Sequence, residues 1–204
     1  MTSLLKPNPT ILSLFHGFPR WGQVVATEQI DTVRLDDVAE TAGVDLLKMD
    51  IQGGELTVLR HAESRLKSAL VIQTEVEFLP IYEGQPLFSE IELFLRERGF
   101  VFHRFFPVVS RMIQPLLIGD NIYGGLSQLL WADAVFVRDF SRLELLSDRQ
   151  LLGMAAIVHD CYKSLDLAFC VLIEYDRRTG GKLAPTYLSA LTKGGSAPRA
   201  ALIA

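Results

Sequence analysis

Long apolar runs are absent from this chain. A membrane-crossing helix needs ~20 consecutive apolar residues, and the densest apolar run, Leu167 to Ile173, falls far short. An excess of basic charge is absent too. Twenty Lys and Arg stand against 24 Asp and Glu, a formal net charge of -4, so nothing drives binding to a nucleic-acid backbone. Cysteine is scarce: Cys161 and Cys170 are the two present. They read as members of one helix, on opposite faces at ~100° per residue, which excludes a bridge between them. No metal-type Cys pairing exists, and His16, His61, His103 and His159 lack a His-x-Glu or His-x-x-x-His partner, so no metal site is expected. Nor does the start, Met1 to Pro7, have a basic head followed by a long apolar stretch. Reduced thiols and the lack of a visible leader make a cytoplasmic protein the expectation. Gly-x-Ser-x-Gly, Gly-x-Gly-x-x-Gly and Gly-x-x-x-x-Gly-Lys-Ser/Thr are all missing, which removes a nucleophile elbow and a phosphate-cradling loop.

What remains is ordinary globular composition, 49% hydrophobic and 22% charged over 204 residues, enough for one domain with an appendage. Residues 1–43 are punctuated by Pro7, Pro9, Gly17, Pro19 and Gly22. They predict a helical turn near Thr10–Phe15, a strand near Gln23–Ala26, and a strand end at Thr32–Val38 running into a helix capped by Asp36 or Asp37. Val44 to Ile51 reads as a buried parallel strand. Glu55 to Leu66 reads as one helix, with Leu56, Leu59, Ala62 and Leu66 on its apolar face. Leu70–Val76 is a second strand. Ser89-x-x-Glu92 reads as a capping box opening a helix through Arg98, ended by Gly99. Phe100–Phe106 and Ala134–Arg138 are further strands, separated by an excursion from Pro107 to Ala132 too long for a simple hairpin loop. From Leu145 the pattern is helical to about Tyr175, with Ser147-Asp148 as cap, then broken at Gly180-Gly181, then helical again near Pro185–Leu191. Strand and helix alternate through the middle, which argues an α/β sheet with helices on its faces.

Two stretches carry chemistry. Lys48 to Glu55 ends a strand at Asp50, turns at Gly53-Gly54 and enters a helix with Glu55 in its first turn. Ligands of open α/β sheets bind beyond such carboxyl ends. Asp50 there either faces a cationic or hydroxyl-bearing ligand or merely caps the helix. Glu75 to Pro86 places Glu75 and Glu77 on one side of a neighbouring strand end by period two. With Asp50 they form a carboxylate cluster able to supply a general base if burial or repulsion raises a pKa; the alternative is a solvated acidic loop.

These stretches together resemble the FkbM family of S-adenosylmethionine-dependent methyltransferases. The carriers are Thr32-Val33-Arg34-Leu35-Asp36-Asp37, Leu47 to Leu56 with Leu59, Glu75 to Phe88, and Gly99-Phe100. Relatives often read Asp-Val-Glu-Gly-Ala-Glu where this chain has Gln52 and Gly54, so one carboxylate of that pattern is replaced by an amide. The resemblance implies methyl transfer to a hydroxyl of a small molecule or sugar. It implies Asp50 and Glu75 as catalytic groups, Asp50, Ile51 and Gln52 against S-adenosylmethionine, and Glu77, Tyr82 and Gln85 on the acceptor side.

The implied fold is α/β, a partial class I methyltransferase (Rossmann-like) sheet lacking the first three strands, with a C-terminal helical extension. Residues 1–140 are assigned to the sheet, 141–192 to the extension and 193–204 to a disordered tail. The family's Gly-rich cofactor turn belongs to strands that would precede Met1, so the chain reads as a truncated enzyme, one half of a split enzyme, or an inactive remnant. An alternative function is a non-catalytic binding or partner subunit. On this reading Leu46–Met49 is a sheet edge, and the expectation is that residues 1–30, a second copy or a complementing chain covers it.

Overall fold

A computed structural model describes residues 2–193. The chain divides after Arg138 into two units.

In the first unit the described strands form one mixed sheet in the order β1-β2-β4-β3. β1 (Leu46–Met49) is parallel to β2 (Val71–Glu77), while β4 (Gln128–Arg138) is antiparallel to both β2 and β3 (Phe100–Arg111). A parallel pair needs a crossover, and two short helices provide it, α3 (Glu55–Arg60) and α4 (Glu63–Ser68). The period-two alternation of β2 and β4 separates two faces. Ile72, Val76, Ala132, Ala134 and Phe136 join Met49 in a core closed by Leu56 and Leu59 of α3, Leu66 of α4, and Ile91 and Leu95 of α5 (Phe88–Arg96). Each such large side chain, once fully buried, contributes about 1.5–3 kcal/mol. The register places Lys48 beside Gln73, Glu75 beside Asp133 and Glu77 beside Trp131, gathering polar side chains on the opposite face.

Several expected elements differ. The Glu55–Leu66 helix is broken at His61–Ala62. The break follows Asp36, whose carboxylate accepts from the Ser64 and Arg65 backbone N–H groups and so starts α4 afresh. Asp36 is thus a cap, but of a helix 28 residues away, and Leu35–Asp37 itself is a 3-10 turn. The Ser89/Glu92 box is displaced: α5 opens earlier, with Leu87 rather than Ser89 before its first residue, and there Glu90 accepts from Leu87 N–H at 2.9 Å. Gln23–Ala26 forms no strand and lies exposed, having no neighbour to pair with. β1 is not a fully buried strand, since it is an edge with Lys48 exposed. β3 and β4 both run further than read, shortening the excursion to 112–127.

The N-terminal segment does not cover the outer edge of β1. Its helical turns α1 (Pro9–Leu12) and α2 (Phe18–Trp21) instead carry Leu12, Phe15 and Phe18 onto Ile81, Tyr82 and Leu130, with Pro7 bridged to Tyr82. Apolar burial wins over edge pairing because that segment offers large side chains rather than a strand.

The second unit is helical. A 3-10 turn at Phe140–Leu145 leads to α6 (Asp148–Asp160), α7 (Leu165–Thr179) and α8 (Leu183–Lys193). Ser147 caps α6, its hydroxyl accepting from Gln150 N–H while the Gln150 side chain accepts from Ser147 N–H. Gly180, at φ +70°, ends α7. Cys161 follows α6 and Cys170 lies within α7, so they belong to different helices rather than opposite faces of one; both are free and exposed. The expected tail lies, but for Lys193, outside the described residues. No helix among the described residues is long and apolar enough to cross a membrane.

Candidate functional site

The chain leaves β1 at Met49 and must reverse within a few residues to enter α3. Gln52 takes φ +58° and Gly53 φ +102°, the left-handed region that L side chains rarely adopt. Glu55 holds this turn. Its carboxylate accepts from Ile51 N–H and Gly53 N–H, both at 2.9 Å, and the residue is 1% exposed. Those N–H groups lie at a helix start, where a carboxylate is favoured. From the other side Ser3 Oγ donates to the Gln52 carbonyl at 2.7 Å. Gly53 is required on two counts: besides its φ, a Cβ there would lie 3.0 Å from Leu5 Cδ1, 3.2 Å from Gln85 Nε2 and 3.3 Å from Tyr82 Cδ2. The turn after β1 is therefore packed against the segment after β2, and the two tips converge.

Gln52 joins them chemically. Its Nε2 donates to Asp50 Oδ1 at 2.9 Å and to Glu75 Oε2 at 2.8 Å, while Tyr82 O–H donates to Gln52 Oε1 at 3.1 Å. Beneath this layer Gln85 Oε1 accepts from Tyr82 N–H at 3.1 Å and fixes the Tyr82–Gln85 turn. Glu77 is 1% exposed, and neither of its oxygens has a hydrogen-bond partner among the described residues.

Burial dominates the electrostatics. It pushes the Glu75 carboxyl up to about 8, with Asp50, Glu55 and Asp133 adding repulsion. Glu77 is likewise pushed up to about 8, by burial first and then by Glu75 and Glu55, the neighbouring Gln85 side chain offsetting part. Tyr82 is raised to about 12 by burial and the same acids. A buried carboxyl raised to about 8 among other acidic side chains is an arrangement suited to proton transfer.

Of the residues singled out in the sequence, Asp50, Gln52, Glu75 and Tyr82 meet in one hydrogen-bonded group. Gln85 and Glu77 lie under it, and Ile51 contributes a backbone N–H already engaged by Glu55. Asp50 does not cap α3; it accepts from Gln52, and Glu55 satisfies the loop's N–H groups instead. Glu77 is not part of a solvated acidic loop. Three participants were not signalled as site residues: Glu55, Ser3, and Asp133, the lone acid in the apolar Leu129–Val137 run, which faces Lys48 Nζ at 3.9 Å. A separate cavity of about 410 Å³ lies between the N-terminal segment and Glu83, lined by Lys6, Leu12 and Val24 among others, and contains none of the converging residues.

Residues 4–102 match the family model described as the Methyltransferase FkbM domain. This part of the chain belongs to the FkbM methyltransferase family. Both chemistry-bearing turns fall inside that FkbM domain. A curated relative, 2-O-methyltransferase NoeI of Sinorhizobium fredii (strain NBRC 101917 / NGR234), is 35% identical over 78 residues, which is 36% of this chain and 32% of that protein. The match thus spans about a third of that relative's length. No solved structure matches the chain.

Proposed function

We propose that this chain acts in O-methyl transfer from S-adenosylmethionine to a hydroxyl of a sugar or other small molecule, as a cytoplasmic protein. The observation that carries the reading is the Asp50–Gln52–Glu75 bridge with Tyr82 at the convergence of two strand ends. The FkbM domain and the name of the 2-O-methyltransferase relative support the reaction class. The sheet order, with β4 antiparallel between β2 and β3, supports reading residues 1–140 as the later part of a class I methyltransferase sheet without its first three strands, and 141–192 as a helical extension.

The residues at the tip suit the cationic, methyl-bearing end of the cofactor, because the exposed Asp50 carboxylate stands at the strand end beside the polar Gln52, Glu75 and Tyr82 side chains. When bound, the cofactor supplies an electrophilic methyl group on sulfur. Asp50, exposed at the end of β1, would hold that positively charged end. Glu75 in its ionised form takes the proton of the acceptor hydroxyl; raised to about 8, it is a stronger base than an ordinary carboxylate, and its ionised share grows as pH rises toward 8. Tyr82 and Gln52 hold Glu75 and Asp50 in place, so that transfer needs little reorganisation. Ile51 and Gly53 present no free N–H to the cofactor, because Glu55 occupies both.

A second reading, a partner subunit that keeps the acceptor side but does not transfer methyl groups alone, is favoured by the outer edge of β1, which no described strand pairs. Such an edge suits a complementing chain or a second copy. Transfer of label from [methyl-³H]S-adenosylmethionine to candidate hydroxyl acceptors, with calorimetry of cofactor binding, separates the readings. The first requires binding and a loss of about 100-fold or more in transfer for Glu75→Gln, as for a general base. Absence of cofactor binding at millimolar concentration leaves only the second.

A further inference from the structure

Gln52 lies between the two converging tips, and its geometry has a consequence. A primary amide has two hydrogens. Here one goes to Asp50 and the other to Glu75, while the amide oxygen receives the Tyr82 hydroxyl. Its backbone is held in a left-handed conformation by the Ser3 hydroxyl and by the Glu55 staple on either side. An exposed loop residue seeking only solvent would not need that conformation. The charged and titratable groups around Glu75 are Asp50 on the β1 turn, Glu55 at the start of α3, Glu77 on β2, Tyr82 beyond it and Asp133 on β4 with Lys48 beside it. All but Lys48 are acids or a phenol, and the one amide hydrogen that Gln52 gives to Glu75 is a donor set against their repulsion there.

We propose that Gln52 is a positioning residue: its amide clamps Asp50 and Glu75 into a pair and sets the pH at which Glu75 gives up its proton. The proposal rests on the methyl-transfer reading only for its consequence in catalysis; the clamp itself is a property of the folded chain. A carboxyl of the same shape at position 52 has no hydrogens to give once ionised, and would place a third negative group between the other two. Glu75 must then hold its proton to higher pH. With Glu75 as the base, transfer by such a variant would require more alkaline solution, whereas a residue that merely supported the fold would lower activity at every pH alike.

The test is a carboxyl ¹³C NMR titration of Glu75 in the full chain, for the native sequence, Gln52→Glu and Gln52→Met. Gln52→Glu is entered from low pH, where the introduced carboxyl is protonated and close to the amide in shape. The expected result is a rise in the Glu75 midpoint of about one pH unit or more for Gln52→Glu and a smaller rise for Gln52→Met, which loses the donors without adding charge. In the exchanged pair, Gln52→Glu with Glu75→Gln, the single remaining carboxyl of the two positions titrates within a few tenths of a unit of native Glu75. A Glu75 midpoint that stays put in both single variants overturns the clamp. If the midpoint moves as expected but no variant, nor the native chain, transfers a methyl group, the clamp stands and the methyl-transfer reading fails.

Discussion

Gly53 combines a backbone that other residues avoid, φ +102°, with neighbours on three sides, Leu5, Gln85 and Tyr82. Gly53→Ala therefore costs strain of about 1–3 kcal/mol, before any shift of Tyr82 is counted. For a chain of this length that lowers Tm by roughly 2–4 °C per kcal/mol, so a thermal melt should show a fall of at least ~2 °C. A change within ±1 °C would mean that the turn does not pack against the segment after β2. The Gly53-Gly54 pair was legible as a sharp turn, since glycine signals one locally. The left-handed Gln52 was not, because glutamine has no local reason to adopt φ +58°; Ser3 and Glu75, 49 and 23 residues away, impose it. The same holds for Glu55. Its position in the first helical turn was readable, but its service to two N–H groups of the preceding loop depends on how that loop closes.

Elements were legible where their signal was local and misplaced where a distant partner decided. The parallel strand pair and its helical crossover follow from apolar runs divided by turn residues. The single helix expected over Glu55–Leu66 became two because Asp36 reaches across to the Ser64 and Arg65 N–H groups, and Arg65 in return donates to Thr41 Oγ1 and the Asp36 and Val38 carbonyls. Asp36→Ala removes this cap, for a cost of ~1 kcal/mol, and should lower Tm by about 2–4 °C while Asp37→Ala, whose carboxylate pairs with exposed Arg34, changes it little. Equal effects of the two substitutions would show that Asp36 is not a cap. β3 was cut short in the sequence at Pro107, which lacks an N–H to give to the ladder. The strand continues because a register shift between Phe105 and Val108 takes the proline out of the regular pairing.

Across the whole molecule the alternation of strand and helix identified an α/β sheet, and the position of two motifs at strand ends predicted their meeting, which the Gln52 bridge realises. What sequence could not supply was depth: period two puts Glu75 and Glu77 on one side, but only the folded sheet buries Glu77 to 1% exposure. That burial makes global stability pH-dependent. Both carboxyls are raised in the folded chain, from the ordinary 4.5 to about 8, while the unfolded chain titrates near 4.5. Between those limits the folded state binds more protons than the unfolded state, so stability falls as pH rises. The contribution is fully present below about pH 4.5 and lost by about pH 8. Urea denaturation should show less stability at pH 8 than at pH 5, through the common acidic and neutral range where most proteins vary little. Glu77→Gln, which cannot ionise, should remove much of the slope. Its benefit should be small at pH 5 and reach a few kcal/mol at pH 8, at ~1.4 kcal/mol per pH unit of displacement. A variant whose stability keeps the native pH slope would show that Glu77 titrates as an ordinary, solvated carboxylate and that the floor beneath Glu75 is open to water.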